Sequence, residues 1–140
     1  MATTTATLNL TSDDLLSGPL SITATTTCMK AGTTTGLDKV EMGRGKLTVA
    51  DGSKSLKLAT AGGHDGATKV YLCNKATDPT YYIDVDIHDT NVGKLYAGDW
   101  LFLPWSQTDT SAELVIEAEG GSCEYEWAIF KEDETLVAAS

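Results

Sequence analysis

Several groups of side chains in this 140-residue chain have the types and spacing of chemical sites. Asp84, Asp86 and His88 stand two residues apart with Asp89 beside the last. In an extended strand they project from one face, as oxygen and nitrogen ligands for a hard cation or zinc. A flat strand face seldom wraps an ion unless loops add ligands, so these residues read as a solvated outer face. His64-Asp65 lies between Gly63 and Gly66, where an acid–base pair would be accessible. No nucleophile motif such as GxSxG accompanies it, and a turn is the expectation. Glu113, Glu117, Glu119, Glu124 and Glu126 would suit a glycosidase only if two of them faced one another in a cleft about 5–9 Å apart. They alternate with apolar residues and are expected to face water. Trp100, Trp105, Trp127 and the tyrosines have the flat faces that stack on sugars. Trp127 has core phase, whereas Trp100 and Trp105 bracket a strand end, where packing or subunit contact is expected. No catalytic residue, cofactor or metal site is expected.

The elements that carry these residues show a two-residue period. Tyr81, Ile83, Val85 and Ile87 alternate with Tyr82, Asp84, Asp86 and His88; Leu114, Ile116 and Ala118 alternate with Glu113, Val115, Glu117 and Glu119; Tyr125, Trp127 and Ile129 alternate with Glu124 and Glu126. That pattern is a half-buried antiparallel sheet. Earlier in the chain, Leu8 and Leu10 open a strand, Thr11 to Gly18 has the cap, acids and terminal glycine of one helical turn, and Leu20, Ile22 and Ala24 form a second strand. Ala31 to Gly45, with four glycines, reads as a long loop. Leu47 and Val49, then Asp51-Gly52, then Leu56 and Leu58 predict a hairpin. Asp78-Pro79, Asp89 to Gly93 and Gly120-Gly121 mark further reversals, and Pro104 ends a strand or places it at an edge. The expectation is an all-β fold, an antiparallel β-sandwich or small barrel of about eight to ten short strands. An extended, flexible arm over residues 1–7 precedes a single domain over 8–131, and a tail over 132–140 follows.

Composition narrows the function. Twenty acids against ten bases give a net charge of −10, a field that repels phosphate backbones and anionic lipid, so neither nucleic acid nor membrane is expected as a partner. Lys30, Lys39, Arg44, Lys46, Lys54 and Lys57 concentrate in the first half, within a charge-balanced surface. Cys28, Cys73 and Cys123 have neither CxxC nor His-flanked spacing, which predicts reduced thiols in a protein made in the cytosol. The Thr-rich start has no basic or apolar run of a signal peptide, and no stretch reaches the ~20 apolar residues of a membrane helix.

The series Val70-Tyr-Leu-Cys-Asn, Tyr81-Tyr-Ile-Asp-Val, Leu95-Tyr-Ala-Gly-Asp-Trp-Leu-Phe-Leu-Pro-Trp and Glu124-Tyr-Glu-Trp-Ala-Ile-Phe resembles small virion structural proteins of tailed bacteriophages. The likeness covers about the C-terminal half and rests on the order of the four segments. It implies a non-enzymatic capsid decoration or cement protein, commonly trimeric. Such a protein would be assembled in the host bacterial cytoplasm and bound to the major capsid protein on the outer surface of the virion. A tail or spike component that binds host carbohydrate or receptor is the alternative. On this reading the interface residues are Ala2, Thr3, Thr4 and Thr5 of the arm, Leu37, Lys39 and Arg44 of the glycine-rich loop, and Trp100 and Trp105.

Overall fold

A computed structural model describes residues 3–30, 32–37, 39–56, 68–105 and 114–131. Among them are ten strands: β1 (Thr4–Ser12), β2 (Leu20–Cys28), β3 (Lys39–Leu47), β4 (Ser53–Leu56), β5 (Lys69–Asn74), β6 (Tyr82–Ile87), β7 (Thr90–Tyr96), β8 (Trp100–Pro104), β9 (Leu114–Glu119) and β10 (Cys123–Lys131). Two four-stranded antiparallel sheets, ordered β3-β10-β5-β8 and β4-β9-β6-β7, face each other, and β1 pairs with β2 in a separate ribbon. The fold is a small β-sandwich, as the alternation predicts. Pro104 closes β8 at a sheet edge, where its missing N–H costs no ladder bond.

The core lies between the two sheets. Leu47, Val70, Leu72, Tyr125 and Ile129 of one meet Ile83, Val85, Leu95, Leu114, Ile116 and Ala118 of the other in a single buried cluster. Ile83 and Val85 are buried while Asp84 and Asp86 face outward, the phase read from the sequence.

Several local expectations are corrected. Thr4 to Thr7, expected in a flexible arm, form the start of β1 and pair with Thr25 to Cys28. The pairing continues to Ser12 opposite Leu20, so Thr11 and Ser12 belong to the strand, and the helical turn is replaced by a reversal in which Gly18 N–H donates to Leu15 O at 3.1 Å. The glycine-rich loop shrinks to a tight turn in which Lys30 N–H donates to Thr35 O at 2.7 Å, closed by a Met29–Gly36 bridge. Lys39 to Gly45 lie in β3.

The reason is steric: Gly43 and Gly45 sit opposite Trp127 and Tyr125 of β10, whose rings lie across them. A glycine in a strand leaves room for such a ring, and the ring in turn covers the bare backbone. The signal was available in the matching two-residue spacing of Gly43/Gly45 and Tyr125/Trp127, but only the register reveals it.

The Asp51-Gly52 segment is also not a hairpin. A 3₁₀ turn, Val49–Asp51, carries the chain from one sheet to the other, so β4 pairs with β9 rather than β3. Thr48 and Asp51 cap that turn reciprocally: Thr48 N–H donates to Asp51 Oδ2 at 2.9 Å, and Asp51 N–H donates to Thr48 Oγ1 at 3.2 Å. The β6–β7 hairpin reverses at His88 and Asp89, both at positive φ (53° and 60°), the geometry that a two-residue turn between twisted strands requires. The proposed His64-Asp65 turn, Leu58 and the tail 132–140 lie outside the described residues.

Asn74, fully buried at the end of β5, joins these parts. Its side-chain Nδ2 donates to Leu95 O at 2.8 Å, and its Oδ1 accepts from Ala76 N–H at 2.8 Å. Its backbone exchanges bonds of 2.9 Å with Gly98 and Asp99 in the β7–β8 turn. Asn74→Ala strips partners from a buried carbonyl and an amide, and is expected to cost about 2–4 kcal/mol in urea unfolding. A Cβ on Gly45 would lie 2.7 Å from Tyr125 Cζ. Gly45→Ala is therefore expected to lower stability by roughly 1–3 kcal/mol through overpacking, measured in the same titration.

Candidate interaction surface

The register of β3, β10, β5 and β8 fixes what the outer face of their sheet presents. Because Val70, Leu72, Tyr125 and Ile129 point inward, the alternate positions point out. Met42, Ala128, Tyr71 and Phe102 form one row across all four strands, and Val40 and Phe130 extend it. Trp100, 52% exposed, flanks the row opposite Cys73. Phe102 and Phe130 meet edge to face at 6.3 Å. Val40 is exposed and Met42 is 69% exposed. This face is the outside of the sandwich, yet its middle is apolar and aromatic.

Beside that row stands one compact polar group. Tyr71 Oη donates to Glu126 Oε1 at 2.8 Å; Arg44 reaches Glu126 Oε2 at 3.1 Å and Lys75 reaches Oε1 at 3.6 Å. The tyrosine hydrogen bond, helped by the two cations, holds the Glu126 carboxyl below its usual 4.5. Burial, and then that same bond, raises the Tyr71 phenol above its usual 10.0. Exposed ion pairs contribute little to stability, so the arrangement mainly neutralises and orients the carboxylate.

The β1–β2 ribbon lies over part of this face. Its register puts Ala6, Leu8, Leu10, Leu20, Ile22 and Ala24 on one side and Thr5, Thr7, Asn9, Thr11, Ser21, Thr23, Thr25 and Thr27 on the other. Thr suits that side twice: branching at Cβ favours the strand, and the hydroxyl is solvated. Near the base, Ala6, Leu8 and Ala24 turn toward Tyr71, Trp100 and Phe102 across a cleft of about 520 Å3. Farther out, Leu10 (41% exposed), Ile22 (44%), Leu15 and Leu16 remain in solvent.

No family model, curated protein or solved structure matches this chain.

The opposite sheet has a different exterior. Asp84, Asp86, Glu117 and Glu119 face outward there, with Asp84 opposite Glu117 on β9 and Lys94 on β7. Lys94 also lies 4.8 Å from the Tyr82 ring centroid, and Tyr82 stacks obliquely on Tyr96 at 5.1 Å. His88 leaves the row of Asp84 and Asp86 because the hairpin turns at it. A register shift follows Val85, and Asn91 Nδ2 sits in it, donating to Asp84 Oδ1 at 2.6 Å and Asp86 Oδ1 at 2.8 Å. Among the described residues no three His, Cys, Asp or Glu side chains come together as metal ligands.

Glu124 and Glu126 belong to the other sheet from Glu117 and Glu119, so these carboxylates face away from each other across the sandwich. Glu113 lies outside the described residues.

The expected interface residues separate. Trp105, 3% exposed, is a core residue rather than a surface one, and Leu37 is likewise buried. Trp105 turns inward because its N–H donates to Thr68 O at 3.0 Å, which continues the edge beyond Pro104. Leu37 N–H donates to Cys28 O at 2.9 Å at the base of the ribbon. Trp100 and Arg44 do lie on the outer face, Lys39 opens β3, and Thr3, Thr4 and Thr5 lead into the ribbon. Ala2 lies outside the described residues. Sequence reasoning missed Met42, Val40, Phe102, Phe130 and the Leu10/Ile22 pair, because an outward apolar residue looks like a core residue until the phase of every strand is known. The three thiols are buried and unbonded to one another, and burial pushes Cys123 up.

Because the folded carboxyls of Glu126 and Asp78 sit below their unfolded values, they add stability that is present above the unfolded pKa and lost as pH falls through the folded one. Thermal unfolding from pH 7 to pH 3 is expected to show a decline that begins near 4.5. In Glu126→Gln that acid limb becomes shallower by up to about one proton, while the Asp78 contribution, set by its bonds to Thr80, persists.

Proposed function

We propose that this chain is a non-enzymatic structural protein of a virion, a decoration or cement protein that binds the outer surface of a tailed-phage head. The observation that carries the reading is the asymmetry of the two exteriors: one sheet presents an apolar, aromatic face on which Glu126 is paired with Arg44 and Lys75, and the other turns Asp84, Asp86, Glu117 and Glu119 outward. A protein that adds to a shell needs an adhesive side and a well-hydrated side that keeps the finished particle soluble.

The resemblance of the four strand segments to phage virion proteins supplies the setting. The major capsid protein would be the partner, with the decoration protein itself a homo-oligomer, a trimer being favoured. Many copies of one modest contact would together hold a shell against internal pressure, since linked sites raise effective concentration without stronger single contacts.

One feature favours a second reading. Trp100 stands exposed beside Tyr71 and Phe102 at an open cleft, the arrangement on which a sugar ring stacks. A tail or spike component that binds host carbohydrate would use it.

Immunogold electron microscopy of particles from the source lysate, with antibody against the recombinant chain, separates these readings. Regular label over the icosahedral shell is expected. Label confined to the tail would favour the receptor-binding reading, and unlabelled particles would overturn both.

A further inference from the structure

The ribbon poses a physical problem. A two-stranded hairpin is marginal alone in water, because neither strand can bury its apolar side against the other. Here the base of the ribbon faces its own sheet across the cleft, while Leu10 and Ile22, paired on its apolar side, do not line that cleft and stand exposed. The same chain carries a cleft of about 520 Å3, lined by Ala6, Leu8, Ala24, Tyr71, Trp100 and Phe102 together with three threonines of the ribbon. One molecule thus has both an apolar projection without a seat and an apolar seat without an occupant.

We propose that the occupant is a second copy of this chain: the outer half of one molecule's ribbon, at Leu10 and Ile22, lies in the cleft between the ribbon base and the β8 edge of the next. This rests on the reading of the domain as an assembling protein and names the surface it uses.

Charge selects this face for contact between like molecules. Each copy carries −10, so two copies attract only where their acids are few or paired. Asp84, Asp86, Glu117 and Glu119 lie on the far sheet. On the near one, Glu126 is held by Arg44 and Lys75, and Glu124 stands opposite Lys46. An aromatic face edged by Arg44, Lys46 and Lys75 is therefore the place where the ribbon of a second copy can dock, since that ribbon exposes Asp13 and Asp14 at its turn and the sequence has no lysine or arginine before Lys30.

Projection and seat are different surfaces, so the contact is heterologous and closes into a ring when its rotation permits.

Sedimentation equilibrium of the purified full-length chain tests the proposal without any virion. The wild type is expected to associate at micromolar concentration. Leu10→Lys/Ile22→Lys, which alters the projection, and Trp100→Lys, which alters the seat, are each expected to be monomeric with unchanged far-UV circular dichroism, since all three residues are exposed. A mixture of the two variants retains one intact projection and one intact seat, and is expected to form a one-to-one pair.

A wild type that stays monomeric up to roughly 100 times micromolar concentration would overturn the proposal. So would association unaffected by both variants, or failure of the mixture to pair. A monomeric chain that still labels phage heads would sink this contact while leaving the virion reading intact. An associating chain that labels no particle would do the reverse.

Discussion

Two sheets whose strands alternate along the chain can be held in register only if the polar backbone at each crossing finds a partner, and here the heaviest crossing is bonded through one buried amide. Asn74 ends β5 in one sheet, reaches Leu95 in the other, and receives the β7–β8 turn on its backbone. Lys75 N–H donates in turn to Glu124 O at 2.7 Å, so the start of β10 is fixed at the same place. Strands from both layers therefore meet at the side chain and backbone of Asn74 and the backbone of Lys75. The outer row of Tyr71, Phe102 and Ala128 inherits its alignment from that junction.

The strand glycines and the inward aromatics form the complementary constraint. Tyr125 and Trp127 lie across Gly45 and Gly43, and Tyr81 lies across Gly121. With those large rings turned inward, the medium-sized apolar and aromatic residues at the alternate positions have to turn outward. The apolar outer face is therefore coupled to the packing of the core. Its apolar character cannot be altered by shifting β10 one residue, because that shift would drive Glu124 and Glu126 into the interior.

How much was legible in the sequence follows from what alternation can and cannot encode. Ile83, Val85, Leu114, Ile116 and Ile129 stand inside as their period requires, and the Gly120-Gly121 reversal between β9 and β10 lies where its turn residues place it. Alternation says nothing about pairing partners, so Asp51-Gly52 resembled a hairpin although its strands belong to different sheets. It also cannot distinguish an inner from an outer apolar row. Trp105 and Leu37 thus seemed available for contact, while Met42 and Phe130 went unnoticed. The Thr-rich start lacks apolar anchors of its own, and only the partner residues 25–28 show that it is a strand.

The order of pairing has a consequence for synthesis. Among the described strands, every ladder apart from the β1–β2 and β6–β7 hairpins joins segments far apart in the chain, and β10, the last of them, lies between β3 and β5 in the middle of its sheet. Closing such loops before their contacts form makes folding slow compared with a fold of local pairs. A nascent chain would complete its ribbon early, yet leave β3 and β5 with unfilled edges until residue 131 has cleared the ribosome. The domain thus folds as a unit only once residue 131 is available, and until then the open edges of β3 and β5 are free to pair with other chains.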